Sequence, residues 1–322
     1  MNKIDGYHAM WWNRPGQHIP GEYEPAPYKV LTWILSALEW RKHNGDMKLY
    51  TNRAGYKYFE DKNLLGVWNR GVDTELVENI PFVVRPEIFW AGAKIYAMEQ
   101  EPMENACLDT DHIVWHEIEC ADETDLLICN RELIVDDFEK HHGEDVFMVG
   151  SEIYPDDIYL PENYYLEFDL ESNNTAYSTA ITYFNNEKLK NTYIKEARRY
   201  MESIHHNRQE GELIDSRVLF SEQRTIALIA EGKYRVRAIN DSYENPKSTH
   251  VATFKKRIGD KPKYQYWFYK TLLRRLRDDF PNYYAKILDA YPSLLEYHDE
   301  LDEPVNVDMD WIKGLSIGIE HI

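Results

Sequence analysis

Over its first third the chain alternates short strand-like runs with helical ones, and that alternation narrows the fold more than any other feature. Tyr7 to Trp12 reads as a first strand, and the stretch holding Pro15, Pro20, Pro25 and Pro27 as a loop. Leu31, Ile34, Leu35 and Leu38 recur at helical spacing, which predicts a helix from about Tyr28 to Lys42, stopped by Asn44-Gly45. Met47 to Thr51 reads as a strand, Arg53 to Asp61 as a short helix, and Phe82 to Val84 as another strand. Phe89 to Met98 is amphipathic and helix-like; a Pro-containing break then leads into Ala106-Cys107-Leu108. Strands that alternate with helices form largely parallel sheets, and such sheets bind ligands outside the carboxyl ends of their strands. The expected class is α/β.

At one such end stands Leu108-Asp109-Thr110-Asp111-His112. In an extended backbone, residues two apart point to the same side. Asp109 and Asp111 are therefore expected to converge on one hard divalent cation, leaving positions open for phosphate oxygens. A second Asp-x-Asp, Asp308-Met309-Asp310, follows only a short acidic approach after Pro304 and is read as solvated. Further along, Asp125 to Cys129 and Ala176 to Phe184 look like strands. Glu187 to Ile204 places Leu189, Tyr193, Ala197, Tyr200 and Ile204 on one helical face. Ser221 is expected to cap a helix running to about Glu231. Tyr234 to Ile239 and His250 to Lys255 read as strands or extended connections, with helices from Tyr264 to Arg277 and near Asn282 to Ala290 closing the chain.

Composition removes several function classes. Against 37 basic residues stand 56 acidic ones, a net charge of −19, whereas a phosphate backbone needs a basic surface. No nucleic-acid partner is expected. Cys107, Cys120 and Cys129 show neither framework spacing nor an even count, which fits a reducing compartment. The first residues carry no apolar core of signal-peptide length, and the longest apolar stretch, Val30 to Trp40, falls short of a bilayer span. A cytoplasmic protein is expected.

The segment from Phe89 through Trp115 resembles the region that contains the DxD motif in GT-A fold glycosyltransferases. The likeness is strongest to the DXD sugar-binding group related to capsular and glycolipid sugar transferases. As there, a helix bearing a basic residue leads into an apolar strand that ends in Leu108-Asp109-Thr110-Asp111. The whole chain is also similar to an uncharacterised bacterial family of GT-A-like proteins, with pieces in the same order: Tyr7 to Trp12, Trp90 to Lys94, Asp109 to Asp111, Ser221-Glu222-Gln223, and His250 to Lys256. The resemblance implies that Asp111 binds Mn²⁺ or Mg²⁺ directly, that Asp109 touches both the ion and the donor ribose, and that His250 completes the metal shell. It places Tyr7, Lys94, Asp109 and Lys255 at the donor, and Glu222 and Gln223 near the reacting carbon. Imidazole beside carboxylates suits Mn²⁺ better than the oxygen-only set preferred by Mg²⁺. Two departures touch the sugar site. Related transferases carry an Asn-Ala-Gly turn where this chain has Tyr177-Ser178-Thr179-Ala180, and the glycine expected after the late histidine is missing from His250-Val251-Ala252-Thr253.

Each of these residues also has a plainer reading. A lysine on an amphipathic helix is usually solvated, an acid in a first helical turn answers the helix dipole, and a lone histidine is usually just hydrogen-bonded. The pairs His141-His142 and His205-His206 are adjacent in sequence, so their rings diverge and they are discounted as metal sites. The basic, aromatic stretch Lys261 to Arg277 suits either contact with anionic lipid or a helix with a basic outer face. Together the sequence and the resemblance give a GT-A-like domain over 1–260: a mixed, mostly parallel sheet flanked by helices, with a helical C-terminal extension over 261–322. The expected activity is metal-dependent transfer of a sugar from a nucleoside-diphosphate donor, a UDP-sugar first, to a glycan or glycolipid acceptor, with peripheral contact at the inner membrane. The alternatives are a non-catalytic nucleotide-sugar or carbohydrate binding module of the same fold, and a metal-dependent phosphohydrolase, which uses paired carboxylates as well.

Overall fold

A computed structural model describes residues 3–12, 24–86, 88–119, 123–133, 175–203, 218–240, 246–316 and 318–322. Cys120, His141-His142, His205-His206 and the prolines at 15 and 20 lie outside them. The chain forms a seven-stranded mixed sheet flanked by helices, in the order β3-β2-β1-β4-β7-β6-β8. The strands are β1 (Gly6–Ala9), β2 (Met47–Tyr50), β3 (Val72–Asp73), β4 (Ala106–Leu108), β6 (Leu126–Leu133), β7 (Thr175–Phe184) and β8 (Val236–Ala238). Every pairing is parallel except the two made by β7, which runs against both β4 and β6. A separate two-stranded ribbon joins β5 (His112–Val114) to β9 (Ser248–His250), antiparallel.

The helices cover the sheet because each offers it an apolar face. Helix α1 (Pro27–His43) starts with proline at its first position and ends with Arg41, Lys42 and His43, as its dipole favours. Its residues from Val30 to Trp40 are all buried, because the sheet lies on one side and the C-terminal helix α7 (Pro262–Asp279) on the other. Phe268, Leu272, Leu273 and Leu276 of α7 join the same core cluster as Leu31, Ile34 and Leu35. A fully buried Leu or Ile of this kind contributes about 1.5–3 kcal/mol. On the opposite face, α3 (Gly92–Gln100) and α4 (Glu187–Ser203) pack with a π-helical turn, Phe220–Arg224, and α5 (Thr225–Ala230) that follows it. Short α2 (Arg53–Asp61) lies after β2, and α6 (Ala252–Arg257) directly after β9. Helices α8 (Pro281–Ala290) and α9 (Met309–Leu315) follow α7.

Several local expectations need correction. Phe82 to Val84 is a turn rather than a strand, with Phe82 94% exposed, since β-branched composition alone does not supply a pairing partner. Ser221 caps nothing: it lies inside the π turn and donates to the carbonyl of Val218. The run from His250 to Lys255 divides into the end of β9 and helix α6, so Lys255 is helical. Asp308 is the exposed N-cap of α9, accepting from the amide of Trp311, which agrees with its solvated reading.

The chain runs outward from β1 to β2 and β3, then returns to place β4 on the other side of β1. The carboxyl ends of β1 and β4 therefore form a topological switch point, where open α/β sheets leave a crevice for ligands.

Candidate metal centre at the sheet edge

Strand β4 delivers Leu108 to the sheet edge, and the chain then turns at once. The amide of His112 donates to the carbonyl of Asp109 at 3.0 Å, closing a tight turn over Asp109, Thr110 and Asp111. The two acids do converge, but through this turn and not through the pleat of an extended strand. The amide of Asp109 is fixed by the carbonyl of Ala180 on β7, 2.8 Å away. The amide of Val251 reaches the carbonyl of Asp111 at 3.1 Å. That last bond, with the His112–His250 pairing of the β5–β9 ribbon, carries His250 to the acids from 139 residues away along the chain.

One ligand atom from each of Asp109, Asp111 and His250 lies within 4.8 Å of the other two. Nε2 of His250 stands 3.3 Å from Oδ1 of Asp111 and 3.7 Å from Oδ2 of Asp109. The other oxygen of each acid is held by a lysine: Oδ1 of Asp109 by Lys94 at 2.6 Å, and Oδ2 of Asp111 by Lys255 at 2.7 Å. The lysines therefore fix the carboxylates from outside, while the imidazole and the inward oxygens face one another. The side chains of Asp109, Asp111 and His250 keep 29%, 18% and 31% of their exposure, so the centre opens to the cleft.

Charge at the centre follows from these contacts. Burial works to raise the Asp111 carboxyl, but Lys255 and His250 override it and hold it well below the usual range. Burial opposes a charge on His250, yet the bond to Asp111 and the field of both acids raise its pKa. Behind Asp109, Lys94 is almost fully buried and spends its three protons on Asp109, on the carbonyl of Thr179 (2.7 Å) and on Glu222. Burial disfavours the Lys94 ammonium, but Asp109 and Glu222 more than offset this and raise its pKa well above the ordinary value. Glu222 also accepts from the Thr179 hydroxyl at 2.6 Å. Burial pushes its pKa up against the pull of Lys94.

The structure thus gathers Asp109, Asp111, His250, Lys94, Lys255 and Glu222, and it leaves two candidates aside. Tyr7 is 2% exposed and sits in the core under β1, beside Tyr50 and Cys107, with no face on the cleft. Gln223, one step further round the π turn, has no hydrogen bond to the cluster among the described residues. Lys94 is neither solvated nor free to meet a phosphate, because every proton it carries is already bonded. Glu222 shares that position behind Asp109, turned inward by the wide π turn whose carbonyl at Glu222 accepts from the Tyr193 hydroxyl at 3.1 Å.

A family model described as a family of unknown function, DUF6734, matches residues 7–290. The chain belongs to that family. The match runs from β1 to the end of α8 and so takes in the whole cluster. No curated protein matches the chain.

Sequence reading missed the polar layer under the centre. Trp68 donates from Nε1 to Nδ1 of His8 at 3.2 Å, which leaves the His8 proton on Nε2, 3.1 Å from the Ser36 hydroxyl. Ser36 in turn donates to the carbonyl of His112 at 2.5 Å, bracing the turn from below. Burial lowers the His8 pKa to about 3. Nothing in the local sequence marks Ser36 or Thr179, because their partners lie 76 and 43 residues away. Also unforeseen is a cavity of about 510 Å³ at the same sheet edge, lined by Trp11 after β1, Asn52 after β2, and Ile80, Phe82, Val84 and Arg85. Among the described residues, the buried indole N–H of Trp11 has no hydrogen-bond partner. Among the described residues, no helix is long and apolar enough to cross a membrane.

Proposed function

We propose that the chain is a GT-A-like, metal-dependent glycosyltransferase that takes its sugar from a nucleoside diphosphate, with Mn²⁺ as its ion. One observation carries this reading: two carboxylates and an imidazole converge at the carboxyl ends of β1 and β4, the switch point of the sheet. The donor set fits a divalent ion. Asp109, Asp111 and His250 offer one atom each, the lysines occupy the far oxygens, and partial exposure leaves coordination positions open to phosphate. Nitrogen among the ligands favours Mn²⁺ over Mg²⁺. Bound there, the ion supplies Lewis-acid neutralisation of a diphosphate leaving group.

The chain's own residues supply the remaining requirements. Lys255, at the rim of the centre, adds a point charge beside the diphosphate while orienting Asp111. Lys94 and Glu222 act from behind, holding Asp109 in one rotamer. The cavity beside Trp11 and Phe82 has the volume of a small-molecule site. Its aromatic wall of Trp11 and Phe82 suits stacking on a nucleobase. The acceptor in this reading is a glycan or glycolipid.

Titration calorimetry with UDP, with and without Mn²⁺, tests the reading, followed by a panel of nucleotide sugars. UDP binding that requires Mn²⁺, with slow donor hydrolysis, is the expected result. Ligand-induced stabilisation without turnover on any donor would instead make the chain a binding module, and cleavage of simple phosphate esters a phosphohydrolase.

A further inference from the structure

Both acids of the centre already hold a positive charge. Oδ1 of Asp109 is bonded to Lys94 at 2.6 Å and Oδ2 of Asp111 to Lys255 at 2.7 Å, with Glu222 on the far side of Lys94. Three carboxylates thus meet two ammonium groups, which leaves the cluster at most one net negative charge to offer a divalent ion. A divalent ion at Asp109, Asp111 and His250 reverses that sign in a partly buried place, where uncompensated charge is costly. A diphosphate carries the negative charge that is missing.

The two lysines differ in freedom. The Lys94 side chain is 4% exposed, and its three protons are bonded to Asp109, to the carbonyl of Thr179 and to Glu222, so its charge is fixed in place. Lys255 lies on α6 at the rim, and Asp111 is its one ion-pair partner among the described residues. Protons of its ammonium are therefore left for a second acceptor, and its four-carbon stem lets the charge turn. Lys256 and Arg257 follow on the same helix, both exposed and without an ion pair among the described residues. The rim at α6 is thus basic, on a chain whose net charge is −19.

We infer that Lys255 is a resident counter-ion of Asp111 that makes the centre take up its divalent ion together with a diphosphate. This inference rests on the transferase reading above. Without a diphosphate, the ion must share the Asp111 carboxylate with an ammonium 2.7 Å from its other oxygen, and it binds weakly. A diphosphate gives Lys255 a second acceptor, and the Asp111 charge is released to the ion. The two ligands are then coupled, and by linkage each tightens the other by the same factor. A lysine that only held Asp111 in position would give the opposite sign, because removing it would loosen the ion.

The test is calorimetric titration of the full chain with Mn²⁺ alone, and with Mn²⁺ in the presence of saturating UDP. For the wild-type chain, UDP is expected to tighten Mn²⁺ binding about a hundredfold. Lys255→Met should bind Mn²⁺ alone roughly tenfold more tightly than wild type, while the tightening by UDP falls to about tenfold or less. Lys255→Arg keeps the charge and should follow the wild type in both titrations. Melting temperatures show that the variants are folded, and Lys255→Gln replaces Lys255→Met if that variant is not. A folded neutral variant that binds Mn²⁺ alone no more tightly than wild type, or that keeps the full tightening by UDP, would overturn the inference. So would a wild-type chain that binds Mn²⁺ as tightly without UDP as with it. The transferase reading stands in the first two cases as long as UDP binding by the wild type still requires Mn²⁺. A wild-type chain that binds no UDP in the presence of Mn²⁺ would overturn that reading and this inference with it.

Discussion

At the scale of single residues, the centre depends on charges that compensate one another out of water. Lys94 is the clearest case, since a buried ammonium between two carboxylates is tolerable only while both partners remain. Lys94→Met should therefore cost about 3 kcal/mol in urea unfolding. Adding Glu222→Leu should recover a large part of that loss, because the uncompensated buried acid is then gone; a double variant no more stable than the single one would contradict the pairing. The ligands themselves should behave differently. Asp111→Ala is expected to abolish Mn²⁺-supported UDP binding in calorimetry with an unchanged circular dichroism spectrum, and His250→Ala to weaken it at least tenfold, or about 1.4 kcal/mol. Full binding by Asp111→Ala would remove the centre from consideration.

Among the elements, the β5–β9 ribbon and the π turn do the positioning. The ribbon brings His250 to the acids, and the C-terminal segment clamps it: Thr249 donates to the carbonyl of Gly318 at 2.5 Å and accepts from Trp115 Nε1 at 2.8 Å. Gly318 has φ +74°, and a Cβ there would lie 2.9 Å from the carbonyl oxygen of Ser248 and from the Thr249 hydroxyl. Gly318→Ala should thus cost about 1–3 kcal/mol from the left-handed backbone and shift β9. The measurable consequence is weaker Mn²⁺ binding by a variant that contacts no ligand; unchanged affinity would show that the ribbon tolerates the displacement. The same elements show where sequence reading stops. Helices α1, α4 and α7 were legible within a few residues, since their apolar periodicity is local. The π turn was not, because its register answers to Tyr193 and Lys94.

Across the whole molecule, acid should be destabilising in a defined window. His8 is buried and neutral, with its pKa lowered to about 3 against about 6.5 in an unfolded chain. Between these values the unfolded state binds one proton more than the folded state, so stability falls as pH drops through 6.5 and this contribution is absent above it. For His8 alone the loss between pH 7.5 and pH 5 is about 2 kcal/mol. His8→Gln should show a shallower decline in urea-unfolding free energy over that range; an identical slope would assign the sensitivity elsewhere.

The sequence by itself determined the α/β class and most element positions and marked Asp109 and Asp111 by their spacing, because periodicity and motif spacing are properties of neighbouring residues; His250 entered only through the resemblance, and the fold brought it to the two acids. Only the tertiary structure decided which of the remaining candidates face the cleft. Tyr7 went into the core, Lys94 and Glu222 went behind Asp109, and Asp109 and Asp111 met through a turn. Each outcome depends on strand order and on packing partners tens of residues distant, and a linear pattern carries no record of which strand will lie beside which.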